Sequence, residues 1–239
     1  MRDLIPRGET VIAYGRNPDI DSAAAEDIID QGGSFVYPTS AETLEIVSAS
    51  ANDDGDPVGT GARTVKVTGL DADYNLVSET VTMNGATAVE LTGNDYLRVF
   101  SVEVVTAGSV GTNDGALTLR VSPAGATRVQ VLANRGRSHV ASYTIPAGKT
   151  GYLVTVDAAI LPDIPSNAEC EIELLVREFN AAPAWQVRYS MSIQQFPSRI
   201  PFRDFILPMR IPEKSDLRLR GSSSVDNTPM SGTLHLLVV

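Results

Sequence analysis

From Phe35 onward apolar and polar residues alternate with a period of two, and turn clusters interrupt the alternation about every 10–12 positions. Leu44 to Ser48, Arg63 to Thr68, Leu76 to Met83, Leu97 to Thr106 and Leu117 to Val121 read as short strands. Between them lie NDDGD (52–56), TGLDADYN (68–75), NGA (84–86) and GTNDG (111–115). Gly, Asn and Asp either tolerate a positive φ or bond their own backbone, which is the chemistry of tight turns. The pattern specifies an all-β chain.

The second half carries the period more cleanly. Cys170, Ile172, Leu174 and Val176 alternate with Glu169, Glu171, Glu173 and Leu175, and Trp185, Val187, Tyr189, Met191 and Ile193 alternate with Gln186, Arg188, Ser190, Ser192 and Gln194. Each reads as a strand with one buried face. Were the two strands neighbours, Arg188 could pair with the acidic face of the first. Further strands are expected at 128–133, 139–145, 151–158, 202–208, 216–221 and 233–239. Eight strands after Thr127 is the count of a jelly roll, with a seven-stranded immunoglobulin-like sandwich as the alternative. Ser122–Thr127 and Asn134–Ser138 are the hinge candidates, and the closing HLLVV ties the C-terminus into a sheet.

The first 34 residues look different. In DIDSAAAEDIIDQGG (19–33), Asp21 or Ser22 can cap a short helix, three alanines favour it and two glycines stop it. Met1 to Pro18 has too little apolar surface to fold alone, so it reads as a mobile tail or as an arm that orders on a partner. The expected organisation is an N-terminal arm with a short helix (1–34), a small turn-rich β domain (35–127) and a jelly-roll-like sandwich (128–239).

Charge and composition exclude several functions. The 239 residues carry 19 Lys plus Arg against 29 Asp plus Glu, a formal charge of −10. Phosphate affinity comes from cationic side chains, so nucleic acid is not an expected partner. No run of 18 apolar residues exists, so no membrane is expected either, and Met1 to Arg16 lacks the apolar core of a secretory signal. Residues 1–134 hold 19 acids and 8 bases, whereas 135–239 hold 10 acids and 11 bases. That asymmetry reads as two units with different neighbours, the acidic one outermost, or as chance placement of surface charge.

Catalytic motifs are missing. There is no GxSxG, Walker A, HExxH or CxxC string, and two histidines leave no His-rich zinc site within one chain. His139 and His235 both fall in expected strands, and Cys170 lies on an apolar strand face, where a thiol is buried and inert. The Asp71-Ala-Asp73-Tyr-Asn75 loop starts like a calcium loop but has Leu76 at position six and Thr82 at position twelve, so it reads as a hairpin turn. Asn52–Asp56 reads as a solvated turn or a weak calcium site. Any two acids could converge for glycoside hydrolysis, yet no pair is singled out. No catalytic, cofactor or metal residue is therefore assigned, and the chain is not expected to be an enzyme. Sixteen of the 19 basic residues are Arg, the better partner for carboxylates across an interface. Arg199, Arg203, Arg210, Arg218 and Arg220 could bridge a subunit boundary, or form a solvated set worth little. Pro197, Pro201, Pro208 and Pro212 confine that stretch to edges or connections.

Several strings carry a resemblance. GTGARTVKVTGLDADYNLVSETVTMNGATAVEL (59–91), YLRVFSVEVVTAG (96–108), GTNDGALTL (111–119), YTIPAGKTGYL (143–153), IPEKSDLRLRGSSS (211–224) and GTLHLLVV (232–239) together resemble virion structural proteins of tailed bacteriophages, especially marine ones. The resemblance covers residues 32–239 and includes no catalytic motif. It implies a non-enzymatic virion protein that decorates or cements the head, forms a head fibre, or attaches to the tail as an adaptor. By analogy with viral jelly rolls it implies a homotrimer. Its other partners would be the major capsid protein or tail and portal-proximal proteins, reached through residues 1–34. A carbohydrate- or receptor-binding module and a glycan hydrolase are the competing readings.

Overall fold

The computed structural model describes residues 8–161, 168–179, 182–194 and 202–239. Among them the secondary structure is all β: β1 Glu9–Ile20, β2 Glu26–Asp27, β3 Leu44–Ser48, β4 Ala62–Leu70, β5 Leu76–Thr82, β6 Val89–Glu90, β7 Arg98–Ala107, β8 Leu117–Val121, β9 Thr127–Val131, β10 Ser142–Thr144, β11 Gly151–Ile160, β12 Glu169–Glu178, β13 Ala182–Gln194, β14 Phe202–Ile211, β15 Asp216–Ser223 and β16 Thr228–Val238. The chain divides into two compact units: an end unit, 1–34 with 140–239, and an inserted unit, 35–139. The expected divisions lay at 34/35 and 127/128.

The end unit is sandwich-like. One antiparallel sheet has the order β1-β16-β11-β14; the other has β10-β15-β12-β13, with β2 added to β15. They stack closely: a Cβ on Gly232 of β16 would sit 2.7 Å from Leu219 Cδ1 of β15. The core between them takes Leu217 and Leu219 from β15, Ile172 and Leu174 from β12, and Leu234 and Leu236 from β16, all at most 1% exposed. The alternation in β12 matches expectation on its inner face, since Cys170, Ile172, Leu174 and Val176 are all buried, but Leu175, expected on the wet face, is buried too. β13 departs from it. Met191 and Ile193 are buried, but Val187 is exposed. The ladder with β12 slips between Leu174 and Leu175 and again between Val176 and Glu178, which breaks the strict inside–outside period.

The N-terminal expectation is corrected. Residues 19–33 contain no helix, and residues 9–20 are an edge strand paired with β16 from Glu9↔Val238 to Asn17↔Met230. Tertiary burial overrides helix propensity here. Ile28 and Ile29 are both buried, and the backbone around them bonds to strands far along the chain in place of its own next turn. Glu26 is held by Asn17 Nδ2 (3.0 Å), Asp27 is added to β15, and the Ile28 amide donates to the Leu219 carbonyl (3.0 Å). The number of strands after residue 126 is eight, as expected, but the membership differs. β9 belongs to the inserted unit, and β1 completes the sandwich in its place.

The inserted unit has two antiparallel sheets, β6-β3-β8-β9 and β5-β4-β7. Leu44, Ile46, Val65, Val67, Leu117, Leu119, Val129 and Val131 build its core. The β4–β5 connection is the expected hairpin turn: Asp71 Oδ1 accepts the amides of Asp73 (2.9 Å) and Asn75 (2.8 Å), and Tyr74 takes a φ of 67°. Burial pushes the Asp71 carboxyl up, but the bonds from Asn75 and Asp73 outweigh it and hold the group below its usual value.

The division changes the charge reading. The inserted unit holds 12 acids and 7 bases and the end unit 17 and 12, so each carries −5. The contrast between sequence halves does not separate the folded units, and it gives no ground for an outward acidic domain.

Candidate functional site

Five arginines were expected to gather at a subunit boundary. Arg199 lies outside the described residues. Arg203 stands in β14 opposite Val156, with its side chain also outside them. Arg210 is exposed on the same strand, opposite Tyr152. Arg218 and Arg220 are engaged within their own chain. Arg218 is buried, donates from Nη1 to Asp27 Oδ2 (3.0 Å) and lies 4.2 Å from the centre of the Trp185 ring. Arg220 donates from Nη2 to the Ala25 carbonyl (2.6 Å) and from Nε to the same oxygen (3.1 Å). Of the five, Arg210 is the one whose described side chain stands exposed.

Around Trp185 the outer face of β15 and β12 forms a cation–π and ion-pair cluster. Arg177 lies 4.8 Å from the ring centre and donates to Asp216 Oδ2 from Nη2 (2.5 Å) and Nε (3.1 Å). Thr144 Oγ1 donates to Asp216 Oδ1 (2.6 Å). Two guanidinium groups on one indole face strong repulsion unless each has its own carboxylate, which Asp27 and Asp216 supply. The arrangement locks the first strands of the chain to the last ones. Arg188 pairs with Glu178 (2.5 Å), within the neighbouring strands β12 and β13 but not with the alternating glutamates.

The other sheet presents a different surface. On β1 the inward side carries Val11, Ala13, Gly15 and Asn17, with the small pair Ala13 and Gly15 at its centre, whereas Ile12 and Tyr14 point outward and are 56% and 40% exposed. The backbone passes so close that a Cβ on Gly15 would sit 2.0 Å from the Ile28 carbonyl oxygen. Beside them on β16, His235 Nε2 lies 3.0 Å from Asp157 Oδ2 of β11. The nearby Thr233 hydroxyl donates to Asp157 Oδ1 (2.8 Å), not to the imidazole, so this pair has no activated nucleophile. His139 is in no strand; the expected strand there is limited to Ser142–Thr144.

Other candidate sites offer little chemistry. Cys170 is buried, and burial pushes its thiol up against the lowering bond to the Ser223 hydroxyl, which keeps it protonated. A shallow pocket in the inserted unit, lined by Phe35, Val36, Leu97 and Val99, has a volume of about 10 Å³, room for one water. Its cation Arg128 is held bidentately by Glu42 (2.6 and 2.7 Å). That volume falls below the usual range for small-molecule sites. The Asn52–Asp56 segment is a turn with Asn52 and Asp56 exposed, as expected, but Asp53 within it is fully buried. It accepts from Ser48 Oγ (2.6 Å) and from the amides of Ala62 (2.7 Å), Asp114 (2.8 Å) and Gly115 (2.9 Å). Four protein donors fill the carboxylate, so it is a structural anchor. Glycines clustered around it at 55, 59 and 61 are the one signal that might have been read, because a Cβ on Gly61 would lie 2.1 Å from Asp53 Oδ1. Neither a protein-family model nor a curated protein matches the chain.

Proposed function

We propose that the chain is a non-enzymatic, oligomeric structural protein of a tailed-phage virion, serving in head decoration or cementing, as a head fibre, or at the tail. The observation that carries the reading is the strand order of the end unit. Lettered along the chain from β1 as B, through β10 to β16 as C to I, the sheets read B-I-D-G and C-H-E-F. That is the double Greek-key order of a jelly roll, an architecture recurrent in viral capsid proteins. The inserted unit then occupies the B–C connection. Fold alone does not set function. The resemblance of the quoted strings supports the same reading.

In this reading no 34-residue arm attaches the protein, because residues 9–34 help build the sandwich. Attachment falls to the outer surfaces, and the partners are further copies of the chain together with a capsid or tail protein. Quantitative mass spectrometry of density-purified particles tests it. The chain is expected at a fixed copy number per particle, retained through a high-salt wash. Its confinement to the soluble fraction of the lysate would overturn the proposal.

A further inference from the structure

Among the described residues the end unit has four sheet edges, and the chain treats them differently. An exposed edge invites pairing with another chain unless Pro, a bulge, Lys or shortness blocks it. β14 carries Pro208 and loops out between Met209 and Asp204, where Leu207 stands 84% exposed. β13 contains Pro183 and two register slips. β10 has three residues. In the inserted unit, β7 has its outer side bonded by Val104 N to the Gly136 carbonyl (2.8 Å) and by the Ser138 amide to Val102 (2.9 Å). There β5 sets a charged side chain on its edge, Glu79, whose carboxylate accepts from the amides of Thr92 (3.1 Å) and Gly93 (3.0 Å), and β6 and β9 have two and five residues.

β1 has none of these devices over most of its length. From Glu9 to Asn17 it runs in unbroken register with β16, without Pro, Lys or a bulge, and it ends its sheet. Its large apolar side chains Ile12 and Tyr14 face outward, and on its inner face, with Val11 and Asn17, stand Ala13 and Gly15, the latter packed on backbone. The sequence is also self-complementary. In a continuous antiparallel sheet, opposed residues share a face. With Ala13 on a two-fold axis, Ile12 opposes the partner's Tyr14 and Thr10 opposes the partner's Arg16, each twice. An aromatic residue against a β-branched one is among the favourable cross-strand pairs. The same register sets no like charges in opposition, since Glu9 meets the partner's Asn17.

We infer that β1 is an assembly edge that pairs antiparallel with β1 of a second copy of this chain, joining two four-stranded sheets into one of eight. An isologous contact of this kind is closed and leaves no free edge to propagate. The inference deepens the assembly reading and rests on it only in that the chain works in more than one copy. Sedimentation equilibrium on the full chain at tens of micromolar tests it. The unaltered chain is expected at twice the chain mass, and the Ile12→Lys/Tyr14→Lys double variant at the single-chain mass with an unchanged thermal melt. A second variant, Ile12→Cys/Tyr14→Cys, is expected to give a covalent dimer on oxidation. A single- or three-chain mass for the unaltered protein, or an undiminished dimer in the lysine variant, would overturn it. A monomer that still enters particles would remove the β1 pair and leave the virion reading standing; a dimer absent from particles would do the reverse.

Discussion

Deleting residues 1–31 unfolds the end unit. The deletion takes away β1 and uncovers β16, whose Leu234, Leu236 and Val238 face the core. It removes Ile20, Ile28 and Ile29, which are at most 1% exposed. Each such side chain contributes about 1.5–3 kcal/mol by burial. It also removes Asp27, leaving the buried Arg218 without its carboxylate, and breaking such a pair costs about 3–5 kcal/mol. Together these losses come to about 8–14 kcal/mol, comparable to the roughly 5–15 kcal/mol by which a domain is stable. The single Trp of the chain, Trp185, lies in β13 of the end unit and reports on it directly. The truncated protein is expected to show the emission of a solvated indole without any cooperative Trp transition. A truncation melting within a few degrees of the full chain would contradict the role of β1.

The second large effect lies in the inserted unit. Asp53→Ala leaves the amides of Ala62, Asp114 and Gly115 without an acceptor in the interior. At about 1–3 kcal/mol for each orphaned group, a loss of about 3–9 kcal/mol is expected. Asp53→Asn does not rescue it, because its amide NH₂ would face N–H donors in place of an oxygen. Asp53→Glu has no room beside Gly61. Far-UV circular dichroism of the full chain under urea is expected to show an early transition that Trp185 fluorescence does not register. Coincident early loss of both signals, or no change in either, would contradict the assignment of Asp53 as the anchor of an autonomous unit.

Period-two alternation was a good guide wherever a strand has one face in the core and one in water, as in β12 up to Leu174. It misled at β1, where the pattern is reversed: Ala13 and Gly15 point inward and Ile12 and Tyr14 outward. A strand packed on backbone needs small residues inside, so it has no apolar stripe to read. The acid-rich stretch at 19–33 looked helical because its propensities are local, whereas its destination is set by Ile28, Ile29 and Asp27 meeting strands far along the chain. Asp27 and Arg218 are 191 positions apart. Nothing in spacing brings such a pair together; only the closing of a sandwich by both chain ends does. The same topology explains why arginines that look free in sequence are internal, and why the charge contrast between halves vanishes between units.

The central claim is that this sandwich, closed by its own two ends and interrupted by an inserted β unit, serves as a repeated structural part of a virion. A density map of purified particles tests it most directly. The account predicts repeated density, in the head or at the tail, that fits both β units, with Ile12 and Tyr14 buried between copies. A map fully explained by other chains, with no density for this fold, would contradict it.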